Sequence, residues 1–132
     1  MLRSSCARTE LLFWDARAGG VVADRGAMRH VAWASTTVPL IWAAGGVFPK
    51  MSDGSDVNAV HASPDGSLLA TVDDFRKLNL FAFPCAGPRA AGCRSAAAHA
   101  AHVGSVRITA DGRHAITVGG PDLCVLVWRI EG

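Results

Sequence analysis

Residues 63 to 84 read "SPDGSLLATVDDFRKLNLFAFP", and residues 109 to 130 read "TADGRHAITVGGPDLCVLVWRI". Aligned on Asp65-Gly66 and Asp111-Gly112, the two stretches stand 46 residues apart (111 − 65), and Val57 and Val60 match Val103 and Val106 at the same offset. Each copy reads as three strands. The first alternates in "VNAVHA" or "VGSVRI", and a tight turn at "SPDG" or "TADG" follows. The second is "SLLATV" or "RHAITV"; after a further turn comes the third, "LNLFAF" or "VLVWRI", with Phe81 and Trp128 at matching places. A third echo, "ELLFWDA", sets Trp14 where Phe81 and Trp128 stand.

A period in the forties with Asp-Gly turns and an aromatic on the third strand indicates propeller blades. The physical reason is burial: one small twisted sheet has two apolar faces and needs a neighbour on each. Third strands that are apolar at almost every position suit a sheet covered on both faces. The expected fold is therefore all-β: a partial WD-repeat β-propeller of about two full blades plus the end of a preceding blade, not a closed ring. Residues 1–24 end an incomplete blade, 25–55 form an apolar insertion, 56–86 a blade, 87–98 an Ala/Gly-rich connection, and 99–132 a second blade. The chain should be the C-terminal part of something longer, or pair with a partner that covers its open edge.

Composition agrees with one globular unit. Half of the 132 residues are apolar, 18% are charged and the net charge is +2, too small to indicate nucleic acid. No secretory signal precedes the four cysteines, so reduced thiols in the cytoplasm are expected. Residues 31 to 49 carry no charge, but Pro39 and Gly45-Gly46 interrupt them; "TTVPLIW" and "GGVF" read as short buried strands rather than a membrane span.

The last copy resembles the WD repeat in detail. His99 stands four residues before Val103, and Asp122 six before Trp128, as the family's His and turn Asp do. In that family His, Asp, a second-strand Ser or Thr and Trp form a buried hydrogen-bonded set. Here the Ser/Thr place reads as Val118, with Thr117 facing the other way, so the resemblance implies a His99–Asp122 contact in an incomplete network. In the first copy Phe75 and Phe81 occupy the Asp and Trp places, and no such network is expected.

The elements "FPKMSDGSDVNAV", "VDDFRKLNLFAFPC" and "HAAHVGSVRITADG", in this order, resemble the C-terminal part of the echinoderm microtubule-associated protein-like family, from Leu11 to Ile130. The resemblance implies a non-enzymatic interaction module that binds tubulin or microtubules in the cytoskeleton as part of a longer protein. A general WD-repeat scaffold with another protein partner is the alternative. The family attaches to microtubules largely through a basic, coiled-coil N-terminal region, for which these residues supply neither heptads nor a basic stripe. One departure bears on stability: the family's Gly after Asp-Asp-Phe is Arg76 here, which strains the turn if the backbone requires a positive φ.

No catalytic, metal or cofactor site is expected. Cys85, Cys93, His99 and His102 fall in a C-x7-C-x5-H-x2-H arrangement, and that cysteine spacing is too wide for a zinc turn. Asp73 and Asp74, adjacent on a strand, point to opposite faces and are read as solvating a turn. No nucleophile elbow or phosphate loop is present.

Overall fold

The computed structural model describes residues 1–6, 8–48, 51–87 and 93–132. Pro49, part of the aromatic-Pro close of the insertion, and residues 88–92 of the Ala/Gly-rich connection lie outside the described residues. Among the described residues ten strands form three antiparallel sheets that do not close a ring.

The first leaf holds β1 (Leu2–Ser5), β2 (Leu11–Asp15) and β3 (Gly20–Val21), with β2 in the middle. The second is β4 (Val57–Ala62), β5 (Leu68–Asp73), β6 (Lys77–Ala82) and β7 (Arg94–Ala97), in that order. The third is β8 (Val103–Ile108), β9 (His114–Gly119) and β10 (Val125–Arg129). The registers repeat with the sequence: Leu69 lies opposite Phe81 as Ala115 lies opposite Trp128. Each first strand carries an irregularity at the same place, between Val57 and Ala59 and between Val103 and Ser105.

Alternation on β5 explains why the second leaf needs two neighbours. Leu69 points into one apolar cluster with Val57, Val60 and Phe81, while Ala70 and Val72 point into another. The second cluster joins the second and third leaves through Leu78, Val103, Val106, Ile108 and Ala115. Polar bonds fix the stacking: the Asn58 side-chain amide donates to the Val103 carbonyl (3.0 Å), and the Ile108 amide donates to His61 Nδ1 (3.0 Å).

Two expectations are corrected here. Residues 36–48 form no strand; Trp42–Val47 make short 3-10 turns kinked at Ala44 (φ −122°, ψ 17°), and another short 3-10 turn covers Ala27–His30. Pro39 offers no amide to a ladder, and the glycine pair offers no side chain to hold a strand. The segment is instead tied to the exit of β6, where Gly46 donates to the Cys85 carbonyl (2.6 Å) and Cys85 to that of Ala43 (2.8 Å). It is buried all the same: Val38, Ile41, Ala44 and Val47 cap the apolar face of the second leaf. The other correction concerns Arg94–Ala97, read as connection. It is strand β7, paired with β6, and completes a four-stranded leaf. An alanine-rich stretch has no strong strand propensity, so this pairing is imposed by the open edge of β6.

Candidate functional site

The polar centre of the third leaf is built around a histidine. His99, 4% exposed, sets Nδ1 2.8 Å from Asp122 Oδ2 and Nε2 2.7 Å from the Thr117 hydroxyl. Trp128 Nε1–H donates to the same hydroxyl (2.9 Å), and the Ala100 amide donates to Asp122 (3.0 Å). Burial pushes the Asp122 carboxyl up, but the Cys124 amide, His99 and the Ala100 amide outweigh it, so the group lies below its ordinary value. An ionised Asp122 accepts from Nδ1–H, which leaves Nε2 as an acceptor for the Thr117 O–H. Every donor in the chain Trp128, Thr117, His99, Asp122 then finds an acceptor.

Thr117, not Val118, is thus the hydroxyl of the set, and the network is complete. The register decides it. Trp128 lies opposite Ala115, so the residue two further along β9 shares its face. Thr117 is fully buried on that face, whereas Val118 is 42% exposed on the other. The register carries the signal: Thr117 stands two residues after Ala115, the partner of Trp128, and the sequence alone does not show that pairing. Gly119 makes room for the set, since a Cβ there would sit 1.8 Å from Asp122 Oδ1 and 2.7 Å from His99 Nδ1.

The second leaf lacks a Trp-and-His set but holds a smaller polar one. Buried Asp73 accepts from the Phe75 amide (3.0 Å), the Lys77 amide (3.0 Å) and the Asn79 side chain (2.8 Å); the Ser95 hydroxyl donates to Asn79 (2.6 Å). Asp73 therefore braces its turn from inside, rather than solvating it. Asp74 does diverge from it, accepting from Asn58 (2.8 Å). Phe81 is buried among apolar neighbours, and Phe75 is 51% exposed at the turn.

In the first leaf Trp14 Nε1–H donates to the Ser4 hydroxyl (2.9 Å). Leu2 opposite Trp14 matches Ala115 opposite Trp128, so Ser4 holds the place of Thr117. The opposite face of this leaf meets the insertion: Phe13 is buried between Trp33 and Trp42, at ring distances of 5.8 and 6.0 Å, and Arg3 lies over Trp33.

Asp65-Gly66 and Asp111-Gly112 form equivalent turns, both glycines having φ of +70°. Asp65 is held down at about 2, first by the Ser63 hydroxyl and then by the Ser67 amide and hydroxyl; Thr109 and the Arg113 amide lower Asp111 in the same way. In the β5–β6 turn Arg76 has φ of +68°, and its counterpart Leu123 has +54°. The backbone thus requires the left-handed region where this chain lacks glycine.

Among the described residues no group of three or more His, Cys, Asp or Glu is placed to hold a metal. His99 is committed to Asp122 and Thr117, and Cys85 is buried, its thiol pushed up by burial and then by nearby Cys93. On the surface, a shallow groove between the second and third leaves is lined by Asp74, Phe75, Arg76, Lys77, Ala101 and His102. It joins an exposed ring to exposed cationic side chains.

The family model of the echinoderm microtubule-associated protein second beta-propeller matches residues 1–130. The chain belongs to this family. Echinoderm microtubule-associated protein-like 2 of Rattus norvegicus is 40% identical over 121 residues, which cover 92% of this chain and 18% of that protein. The 77 kDa echinoderm microtubule-associated protein of Strongylocentrotus purpuratus is 40% identical over 129 residues, 98% of this chain and 19% of its own length. Echinoderm microtubule-associated protein-like 3 of Homo sapiens is 39% identical over 125 residues, 93% and 14% respectively. The chain thus spans less than a fifth of these relatives, and the leaves described above are a propeller part of this family.

Proposed function

We propose that this chain is a non-enzymatic protein-interaction module that binds tubulin or microtubules in the cytoplasm, as part of a longer protein. The observation that carries the reading is the family match across residues 1–130, together with relatives whose names declare them microtubule-associated. The leaf centres support a scaffolding role. Their polar groups are spent on one another, as in His99–Thr117–Trp128, and are not presented to a substrate. Contact falls to the rims, and the groove at Phe75, Arg76 and Lys77 has the chemistry for an acidic protein surface: a ring to bury and cations to pair.

Co-sedimentation with polymerised tubulin tests this directly. The chain should pellet with polymer, and Phe75→Ala combined with Lys77→Glu should weaken pelleting about tenfold, the loss expected of a rim anchor plus a reversed charge. A chain that stays in the supernatant at saturating polymer would sink the microtubule reading. Equal pelleting by the double variant would remove the groove from it.

A further inference from the structure

The connection between β6 and β7 carries a cysteine at each end. Cys85 follows β6 and Cys93 precedes β7, eight residues apart (93 − 85). Cys85 is 4% exposed, and its backbone is fixed to the insertion through Ala43 and Gly46. Its side chain packs in the apolar cluster that buries Phe81. Cys93 meets the same cluster from the strand end. In the β6–β7 register Leu80 lies opposite Arg94, so the next step sets Cys93 level with Phe81, on Phe81's face of the sheet. Cys93 is half-buried there and packs against that cluster. Burial pushes the Cys85 thiol up and neighbouring Cys93 pushes it further, as two thiols sharing one apolar site do. Cys6 and Cys124 lie exposed at the first and third leaves, outside both apolar clusters.

What this pair can hold is the least anchored strand of the second leaf. All four residues of β7 are exposed, and none of their side chains belongs to either apolar cluster. Its ladder with β6 and two polar bonds secure it: the Ser95 hydroxyl donates to Asn79 (2.6 Å), and the Arg94 guanidinium to the Glu131 carbonyl (3.3 Å). Cys93, one residue earlier, is the point at which this part of the chain reaches the core. β7 then runs through Ala98 into His99, so it ties the second leaf to the polar set of the third.

We infer that Cys85 and Cys93 form a reversible oxidation site, whose intramolecular disulfide latches β7 onto the second leaf. The oxidant is a peroxide, and half-buried Cys93 is the thiol it reaches first. The Cys93 sulfur attacks one peroxide oxygen, the O–O bond breaks, and the thiol proton leaves with the other oxygen as water. Cys85 then attacks the Cys93 sulfenic acid: the S–S bond forms, the S–O bond breaks, and the departing hydroxide takes the Cys85 proton as a second water. Two thiols lose two electrons and one peroxide gains them. Burial keeps Cys85 a thiol until its partner is oxidised, which suits the resolving role. In a reducing cytoplasm the dithiol is the resting state, and the crosslink is a transient one. The inference does not depend on tubulin binding, and its test contains no tubulin.

The reduced, purified chain is treated with a molar excess of hydrogen peroxide, and in parallel equilibrated with oxidised glutathione. Intact mass and a non-reducing tryptic digest read the product. A monomer lighter by two hydrogens is expected, with peptides 78–89 and 90–94 joined and dithiothreitol separating them. Cys6→Ser combined with Cys124→Ser should leave the crosslink in place, and Cys93→Ser should abolish it, with circular dichroism as the check on folding. Hydrogen exchange supplies the second reading: the amides of Arg94–Ala97 should exchange about tenfold more slowly in the crosslinked chain, because the short closed loop suppresses local opening. If Cys85 and Cys93 remain unlinked under both oxidants, or the dominant crosslink joins other cysteines, the oxidation site is refuted. A crosslink that leaves β7 exchange unchanged refutes the latch.

Discussion

Replacing Thr117 by valine keeps the shape of the side chain and removes one hydroxyl. That hydroxyl is fully buried, 2.7 Å from His99 Nε2 and 2.9 Å from Trp128 Nε1. His99 is 4% exposed, so its Nε2 is left without a donor and without water, a cost of about 1–3 kcal/mol. Trp128 is only half-buried, so its N–H regains water in part and adds about 0.5–1 kcal/mol. The new methyl group returns up to about 0.8 kcal/mol. The net loss is about 1–3 kcal/mol, or a midpoint lower by roughly 4–11 °C for a chain of this length. Thermal unfolding followed by far-ultraviolet circular dichroism reads it. Val118→Thr, on the exposed face, should move the midpoint by no more than about 2 °C, as surface changes do. A double-mutant cycle with Trp128→Phe should show coupling of about 1 kcal/mol. If Thr117→Val were as mild as Val118→Thr, the assignment of the hydroxyl and the completeness of the set would both be wrong.

Gly119→Ala should destabilise by about 2–4 kcal/mol in the same assay, because its Cβ collides with Asp122 and His99 and must part them. Arg76→Gly should raise stability by about 0.5–1 kcal/mol in urea titration, relieving a side chain held at φ +68°. Gly66→Ala is the opposite test: its φ is +70° and open space surrounds it, so the expected loss of about 1–2 kcal/mol is purely conformational. Asp65 lies at about 2 in the folded chain, below the unfolded value of about 4. Its contribution is therefore present above pH ~4 and lost as pH falls toward 2. The midpoint of Asp65→Asn should accordingly depend less on pH in that window than that of the parent chain.

The sequence by itself determined the leaves. Asp65-Gly66 and Asp111-Gly112, alternating valines and the aromatics Phe81 and Trp128 specify strand, turn and face locally, because a tight turn and a two-residue period need only near neighbours. The family resemblance implied the His99–Asp122 contact, and the positive φ at Arg76, raised by the sequence only as a condition, was settled by the backbone. Tertiary structure decided everything that required a second element. Thr117 joins the set only through its register with β10, where Trp128 lies opposite Ala115. Arg94–Ala97 becomes a strand because β6 offers unpaired backbone groups, not because alanine prefers that state. Residues 36–48 are buried as expected yet irregular, since burial fixes which side chains turn inward and not which hydrogen bonds the backbone makes. The exposed valines of β10 follow the same division. Their sequence asks for a covered face, and only the stacking of whole leaves shows that, within this chain, the face lies open.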